Sequence, residues 1–369
     1  MKDLDQRQRD FLAKYGFDAE LQESWQRDVR AGRLSTANNL VRGPLLPPPP
    51  GSIVDMPPSG SAEWQELDRV GREAIARGEL GVAILNGGMA TRFGGVVKGV
   101  VEVRDGRSFL SLAVDDAQRH ARANGGRVPV FLMNSFATDD ATKKHFAEHG
   151  DFGADSGDVE HYTQLIALRM TPDGELFRMD DGEVSPYGPG HGDFAPAFRA
   201  SGCLQRFRER GGRYLFVRNV DNLGARVSPA VLGHHIRSGK RVTAEQTSKL
   251  PGDVGGAPYL HGDRVQLVEQ FRFPKDFDHS VVDVFNTNTM TFDADALEEH
   301  IELGWYYVEK KVEGRVAVQV EHLIGELTAH LPTNFLRVSR EGTDSRFLPI
   351  KAPDDLTRAL PEIAALYDN

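Results

Sequence analysis

The chain has 369 residues, 40% hydrophobic and 27% charged, with a formal net charge of −10 at pH 7. That length allows one large α/β domain with an appendage, or two domains. The acidic balance argues against a general nucleic-acid or anionic-membrane binder, so any phosphate must be met by a local cluster or a metal. One cysteine, Cys203, excludes an internal disulfide and a cysteine-built zinc site. No apolar run reaches the ~20 residues that a bilayer demands. The first residues, Met-Lys-Asp-Leu-Asp-Gln-Arg, are too charged for a signal peptide, so the cytoplasm is the expected compartment.

Residues 1–42 carry Phe11, Leu12, Tyr15, Leu21, Trp25 and Val29 as an interrupted apolar stripe, which predicts helix. Pro47 to Pro50 and then Pro57-Pro58 predict an extended, semi-rigid stretch. It marks a boundary between an amino-terminal segment, 1–60, and a main domain, 61–369, and could equally lie on that domain as a strap. Ser61 is an N-cap for a helix carrying Trp64, Leu67, Val70 and Ala74, with Gly78 as its stop. An apolar strand, 81–85, runs into a glycine-rich turn. A short strand at 101–104 follows. Ser108 caps a helix with Phe109, Leu112, Ala113, Ala117 and Ala121, ended by Asn124-Gly125-Gly126. Residues 128–133 are a buried strand, and Thr138-Asp139-Asp140 caps a helix through His149.

One helix is predicted over 194–210, ended by Gly211-Gly212, with Cys203 as a core thiol on its apolar face. Strand 214–217 comes next. The second half is richer in strands, at 241–247, 264–271 and 282–291, some of them antiparallel. Leu356, Leu360, Ile363 and Leu366 predict a closing helix. Nearly all-apolar strands alternating with helices predict an α/β fold whose mainly parallel sheet is covered on both faces.

The richest segment runs from Leu85 to Lys98: Leu-Asn-Gly-Gly-Met-Ala-Thr-Arg-Phe-Gly-Gly-Val-Val-Lys. Glycines let backbone N–H groups approach phosphate oxygens, and successive N–H groups form an anion nest. Thr91, Arg92 and Lys98 can add donors and charge. The spacing is neither that of a P-loop nor G-x-G-x-x-G, and a tight β–α connection would leave the same trace. Asp221 follows strand 214–217 in Arg-Asn-Val-Asp-Asn, beyond the carboxyl end of a core strand, where open α/β sheets bind ligands. It is read either as a Mg²⁺ ligand or as a turn cap. His191, in Gly-Pro-Gly-His-Gly-Asp, either reaches a phosphate at a helix start or is an ordinary loop histidine. Gln164 and Arg169 follow a predicted strand, and an amide such as Gln164 can read a base edge. Glu269 and the run Asn286-Thr287-Asn288 suit sugar hydroxyls, or merely end strands. Lys351 gains meaning only if the fold brings it over the phosphates.

Six collinear segments together resemble the UDP-glucose pyrophosphorylase family, within the UDP-sugar pyrophosphorylases. They are Leu85-Asn-Gly-Gly, Leu132-Met-Asn-Ser-Phe, Pro189-Gly-His-Gly-Asp, Asn219-Val-Asp-Asn-Leu-Gly, Phe285-Asn-Thr-Asn and Ser345-Arg-Phe-Leu-Pro-Ile-Lys. The resemblance implies a Rossmann-like, GT-A-like nucleotidyltransferase core with an amino-terminal helical extension and no carboxy-terminal β-helix. It implies a reaction of UTP with glucose 1-phosphate, giving UDP-glucose and pyrophosphate with Mg²⁺ as cofactor. It implies no nucleic-acid or membrane partner. N-acetylglucosamine 1-phosphate is the alternative sugar phosphate. By the same resemblance Leu85, Gly87, Gly88, Met133, Gln164 and Gly190 bind the nucleotide. His191, Lys98, Lys351 and Arg92 act on the phosphates. Asn219, Gly256, Glu269 and Asn288 hold the sugar, and Asp221 holds the metal. Ala90 stands where the family has Gly, and Val97 where it has Pro. These two departures motivate a second class of function, a nucleotide-sugar-binding regulator without turnover.

Overall fold

The computed structural model describes residues 4–90, 93–253 and 255–368. Eight strands form the central sheet: β1 (Ile53–Asp55), β2 (Leu80–Asn86), β3 (Val130–Asn134), β4 (Val159–Thr163), β5 (Tyr214–Asn219), β6 (Val242–Ser248), β7 (Val284–Asp293) and β8 (Thr333–Val338). Their spatial order is β1-β8-β6-β7-β5-β2-β3-β4. Strand β7 is antiparallel to both neighbours, and every other pair is parallel. The carboxyl ends of seven strands therefore share one edge of the sheet. The fold is the mixed, mainly parallel α/β arrangement that the apolar strands predict.

Alternation along the strands sorts the core into two layers. Val82, Ile84, Val130, Leu132 and Phe216 face one side, against α4 (Phe109–Asn124) and α9 (Pro353–Tyr367). Ala83, Leu85, Phe131, Met133, Leu215 and Val217 face the other, where Phe194, Phe198 and Phe207 pack. Ser108 caps α4 by accepting from the Ser111 N–H, and Gly125 ends it in the left-handed conformation.

The single helix expected over 194–210 is two helices, α6 (Phe194–Ala200) and α7 (Cys203–Glu209). Gly202, at φ +74°, turns the chain between them, a conformation that glycine adopts without steric cost. Cys203 is buried, as expected of a core thiol. Thr138 precedes α5 (Asp139–Glu148) without a side-chain cap; its hydroxyl accepts from the Ser135 N–H at 2.8 Å instead. Strand 264–271 ends at Val268, and residues 270–272 form a 3₁₀ turn.

The amino-terminal helices are α1 (Gln6–Lys14) and α2 (Ala19–Arg30). Trp25 and Val29 of α2 pack with Ala167, Tyr187, Val318 and Val320, the last two from the hairpin 306–312/315–321. Beyond the proline run, β1 pairs with β8 through Ile53, Val54 and Asp55, so this stretch forms an edge of the main sheet. No helix of the described residues is long and apolar enough to cross a membrane.

Helix α3 (Ala62–Ala76) crosses α8 (Pro229–Ser238) at two buried glycines. A Cβ on Gly71 would lie 1.8 Å from the Pro229 carbonyl oxygen, and one on Gly233 would lie 1.9 Å from that of Leu67. Glycine inside a helix costs about 1 kcal/mol relative to alanine, so close backbone approach is the reason for its use. Gly233→Ala should lower stability by about 1–3 kcal/mol through overpacking, read as a lower urea midpoint at unchanged slope. A midpoint at or above the wild-type value would refute this account of the crossing.

Candidate active site

The register of the sheet sets the floor of a cleft. Leu85 on β2 stands opposite Asn219 on β5 and Met133 on β3, so the three form one cross-strand row near the carboxyl edge. One residue on, Asn86 pairs with Asn134 and Asn134 with Thr163, which delivers Gln164 to the rim of the sheet. Together these residues open a cleft of about 510 Å³.

The walls come from five segments, around residues 87–98, Gln164, Gly190, Asp221 and Lys351. Gly87 and Gly88 follow β2, and the Gly87 carbonyl accepts from the Ser135 hydroxyl at 2.9 Å. A Cβ on Gly88 would meet nothing within 4 Å, so its backbone stands open to a ligand. The Gln164 side chain lies between the first glycine turn and the second loop. A Cβ on Gly87 would sit 3.1 Å from its Oε1, and one on Gly188 would sit 1.6 Å from its Nε2. Gly190, at φ +101°, and His191 form the opposite wall.

The charged end holds Asp221, Lys98 and Lys351. Lys98 Nζ lies 3.0 Å from Asp221 Oδ2, in a partly buried pair. Lys351 is exposed, and its segment is tied to the Asp221 loop by main-chain and side-chain bonds. The Ile350 N–H donates to the Asp221 carbonyl at 3.0 Å. The buried Asn222 amide accepts from the Leu348 N–H at 2.8 Å and donates to the Arg346 carbonyl at 3.2 Å. Arg346 in turn donates to the buried Glu245 at 2.7 Å.

Ile324 N–H donates to His191 Nδ1 at 3.0 Å, so in the neutral ring the proton sits on Nε2. Burial, and next the neighbouring His322, lower its pKa from the ordinary 6.5 to about 4. His191 is therefore a neutral donor at physiological pH. Between pH 6.5 and 4 the unfolded chain takes up protons that the folded chain refuses, so stability should fall as pH drops through that window. His120, His145, His161 and His234 are depressed by burial in the same direction. His191→Asn should make the fall shallower in urea titrations at pH 4.5 and 7; an unchanged slope would mean that the ring is not held neutral.

Three candidates stand behind the cleft wall. Pairing of β6 with β7 shifts register between Ala244 and Gln246. Near that bulge Asn288 adopts φ +55° and donates to Asn219 Oδ1 at 3.0 Å. Asn286 Oδ1 accepts from the Asn288 N–H at 3.0 Å. Glu269, whose pKa burial raises, is hydrogen-bonded to Asn286 and to the Gly256 backbone. Asn219, Asn288, Asn286, Glu269 and Gly256 thus form a continuous polar line leading away from the cleft. Arg92 and Thr91 lie outside the described residues, as does the Ala90 side chain. Arg169 is not on the cleft; it donates to Ser185 Oγ and the Pro186 carbonyl.

A larger groove of about 750 Å³ opens beside β1, β6 and β8 and contains none of these candidates. Its arginines are taken up structurally: Arg340 pairs with Asp253, Arg346 with Glu245, and Arg226 donates to the Leu366 and Thr343 carbonyls. The smaller cleft is the one that gathers the candidate residues.

The sequence profile of UTP–glucose-1-phosphate uridylyltransferases matches residues 52–366. The chain belongs to that family. It is similar to the potato (Solanum tuberosum) UTP–glucose-1-phosphate uridylyltransferase, 31% identical over 79% of this chain and 63% of the relative. A probable member from Schizosaccharomyces pombe is 30% identical over 94% of this chain and 70% of its own length. The chain spans slightly under two thirds of the plant relatives. Among solved structures, a UDP-N-acetylglucosamine pyrophosphorylase from Trypanosoma brucei has a TM-score of 0.79 at 19% identity, covering 96% of this chain and 80% of that one. UDP-glucose pyrophosphorylase from Leishmania major, as its V402W mutant, has a TM-score of 0.73 at 23% identity, covering 94% and 77%. At these identities the two structures establish the fold of this family member.

Sequence reasoning missed Ser135 and His322. Asn222, which with Asp221 is the alternative turn cap, accepts from the Gly224 N–H at 3.2 Å, and Ser135 lies within Leu132-Met-Asn-Ser-Phe. His322 carries no local signal, because its partners come from distant segments.

Proposed function

We propose that the chain transfers the uridylyl group of UTP to glucose 1-phosphate, releasing pyrophosphate. The supporting observation is the gathering of Gly88, Gln164, His191, Asp221, Lys98 and Lys351 around one cleft. A phosphate oxygen of the sugar phosphate attacks the α-phosphorus of UTP, and the bond to the bridging oxygen breaks as pyrophosphate leaves. That oxygen is already ionised, so the protein needs no general base. Its task is positioning and charge neutralisation. Lys98 and Lys351 bring positive charge to the phosphates, the glycine N–H groups bind their oxygens, and His191 donates through Nε2. The Gln164 amide and the Gly190 backbone read the base. The polar line from Asn219 to Glu269 offers the donors and acceptors that sugar hydroxyls require.

The donor set fits Mg²⁺. Among the described residues no group of three or more His, Cys, Asp or Glu could hold a metal, and Asp221 is a single carboxylate at the charged end of the cleft. Magnesium keeps most of its waters and accepts one or two carboxylates plus substrate phosphate. Asp221 would hold it, and when bound it supplies charge neutralisation between the two phosphate groups. A cytoplasmic setting belongs to the same proposal.

Pyrophosphate release measured with UTP over a panel of sugar 1-phosphates tests the assignment. Glucose 1-phosphate should turn over fastest. Turnover of N-acetylglucosamine 1-phosphate with glucose 1-phosphate inert would reassign the sugar. UTP binding with no turnover at saturating Mg²⁺ would make the protein a regulator instead.

A further inference from the structure

We infer that His322, held between Asp193 and Trp305, is a positioning residue that keeps the two base-facing loops of the cleft at a fixed spacing; this rests on the cleft being the UTP site. His322 Nε2 lies 2.6 Å from Asp193 Oδ1, and both side chains are buried. The other Asp193 oxygen accepts from the Leu165 N–H at 3.0 Å, immediately after Gln164. The main chain of His322 grips the second loop. Its N–H donates to the Pro189 carbonyl at 2.9 Å, and its carbonyl accepts from the Gly192 N–H at 3.0 Å. Two residues later, Ile324 fixes Nδ1 of His191.

One buried pair therefore spans the Gln164 turn and the Gly190–His191 loop. The loop lies flat on it: a Cβ on Gly190 would fall 2.6 Å from the His322 carbonyl oxygen. Hydrogen bonds fix the backbone of His322; its ring is held by Asp193 at Nε2, by the close approach of Gly192 and by one stacking partner. Trp305 lies over it at 4.1 Å between centroids and 20° between planes. Trp305 is braced edge-on by Trp25 of α2 at 4.7 Å. Beside the stack is a separate cavity of about 410 Å³ lined by Gly192, Pro196, Leu303, Trp305 and His322. Without Trp305 the imidazole gains room to swing there, and Asp193 loses the partner that orients it toward Leu165. The amino-terminal helix α2 thereby acts on the base end of the cleft without touching it.

The test measures UMP and UTP binding by calorimetry, with steady-state kinetics, on Trp305→Ala, Trp305→Phe and His322→Ala. Trp305→Ala should weaken UMP and UTP by the same factor, about ten- to a hundredfold, because the base end is displaced. Its kcat at saturating UTP should stay within about threefold of wild type, since the reacting phosphates keep their lysines. Trp305→Phe should recover the affinity, because a stacked ring is what the site needs. His322→Ala should reproduce the loss if it folds, and Trp305→Ala, at a partly exposed position, carries the test if it does not. Wild-type UMP affinity in a folded Trp305→Ala protein would overturn the inference, as would a loss confined to UTP. Wild-type protein that binds neither nucleotide would remove the reading of the cleft, and this inference with it.

Discussion

Lys351→Ala should lower kcat by about 10²–10³-fold, the loss seen when one preorganised group facing developing charge is removed. In the proposed reaction the departing pyrophosphate gathers negative charge, and Lys351 is a cation on the cleft that no described carboxylate pairs. Folding should not change. The side chain is exposed, and the segment is held through backbone contacts: the Lys351 N–H to Asp355 at 2.9 Å, and Ile350 to Asp221. The decisive measurement is kcat beside the thermal midpoint. A variant with wild-type kcat would take Lys351 out of the chemistry. Lys351→Arg should recover only part of the rate, since a planar fork does not replace a compact ammonium charge.

Asp221→Ala should reduce turnover by a similar factor, about 10²–10³-fold, and abolish its dependence on Mg²⁺ concentration. The same substitution leaves Lys98 without its partner at 3.0 Å. UTP binding without metal should therefore hold steady or tighten, because the freed ammonium can turn to the triphosphate and a repelling carboxylate is gone. Rate and affinity moving in opposite directions is the signature to look for. Retained Mg²⁺ dependence at a normal rate would show that the metal, if used, binds elsewhere.

The core strands were legible because their chemistry is local. Residues such as Val82, Ile84, Val130 and Leu132 are apolar whatever lies beside them, and both faces of the sheet are covered. The glycine turn, His191 and Asp221 were legible for a related reason: each sits just past a strand end or before a helix. What sequence hid depends on distant partners. Strand β8 was missed, and its role follows only from β6 on one side and β1 on the other. Three residues, Ile53 to Asp55, are too few to reveal a strand by alternation. The break at Gly202 interrupts an apolar pattern that continues on both sides of it. The placement of Asn288 depends on a bulge, which is a property of pairing rather than of composition. His322 acts through a bond to a residue 129 positions away, and Asn222 adds to its local turn a bond to one 124 positions away, which no window along the chain contains.

The position of β8 between β1 and β6 also has a consequence for biosynthesis. The ribosome releases β1 early, yet its pairing partner emerges only after residue 333. The half of the sheet holding β1, β8 and β6 cannot close until residue 338 has left the exit tunnel. Until then β6 presents an open, hydrogen-bonding flank to solvent, a hazard for self-association. Released chains truncated before residue 333 should be bound by chaperones far more than the chain that carries β8, a contrast that follows from strand order alone.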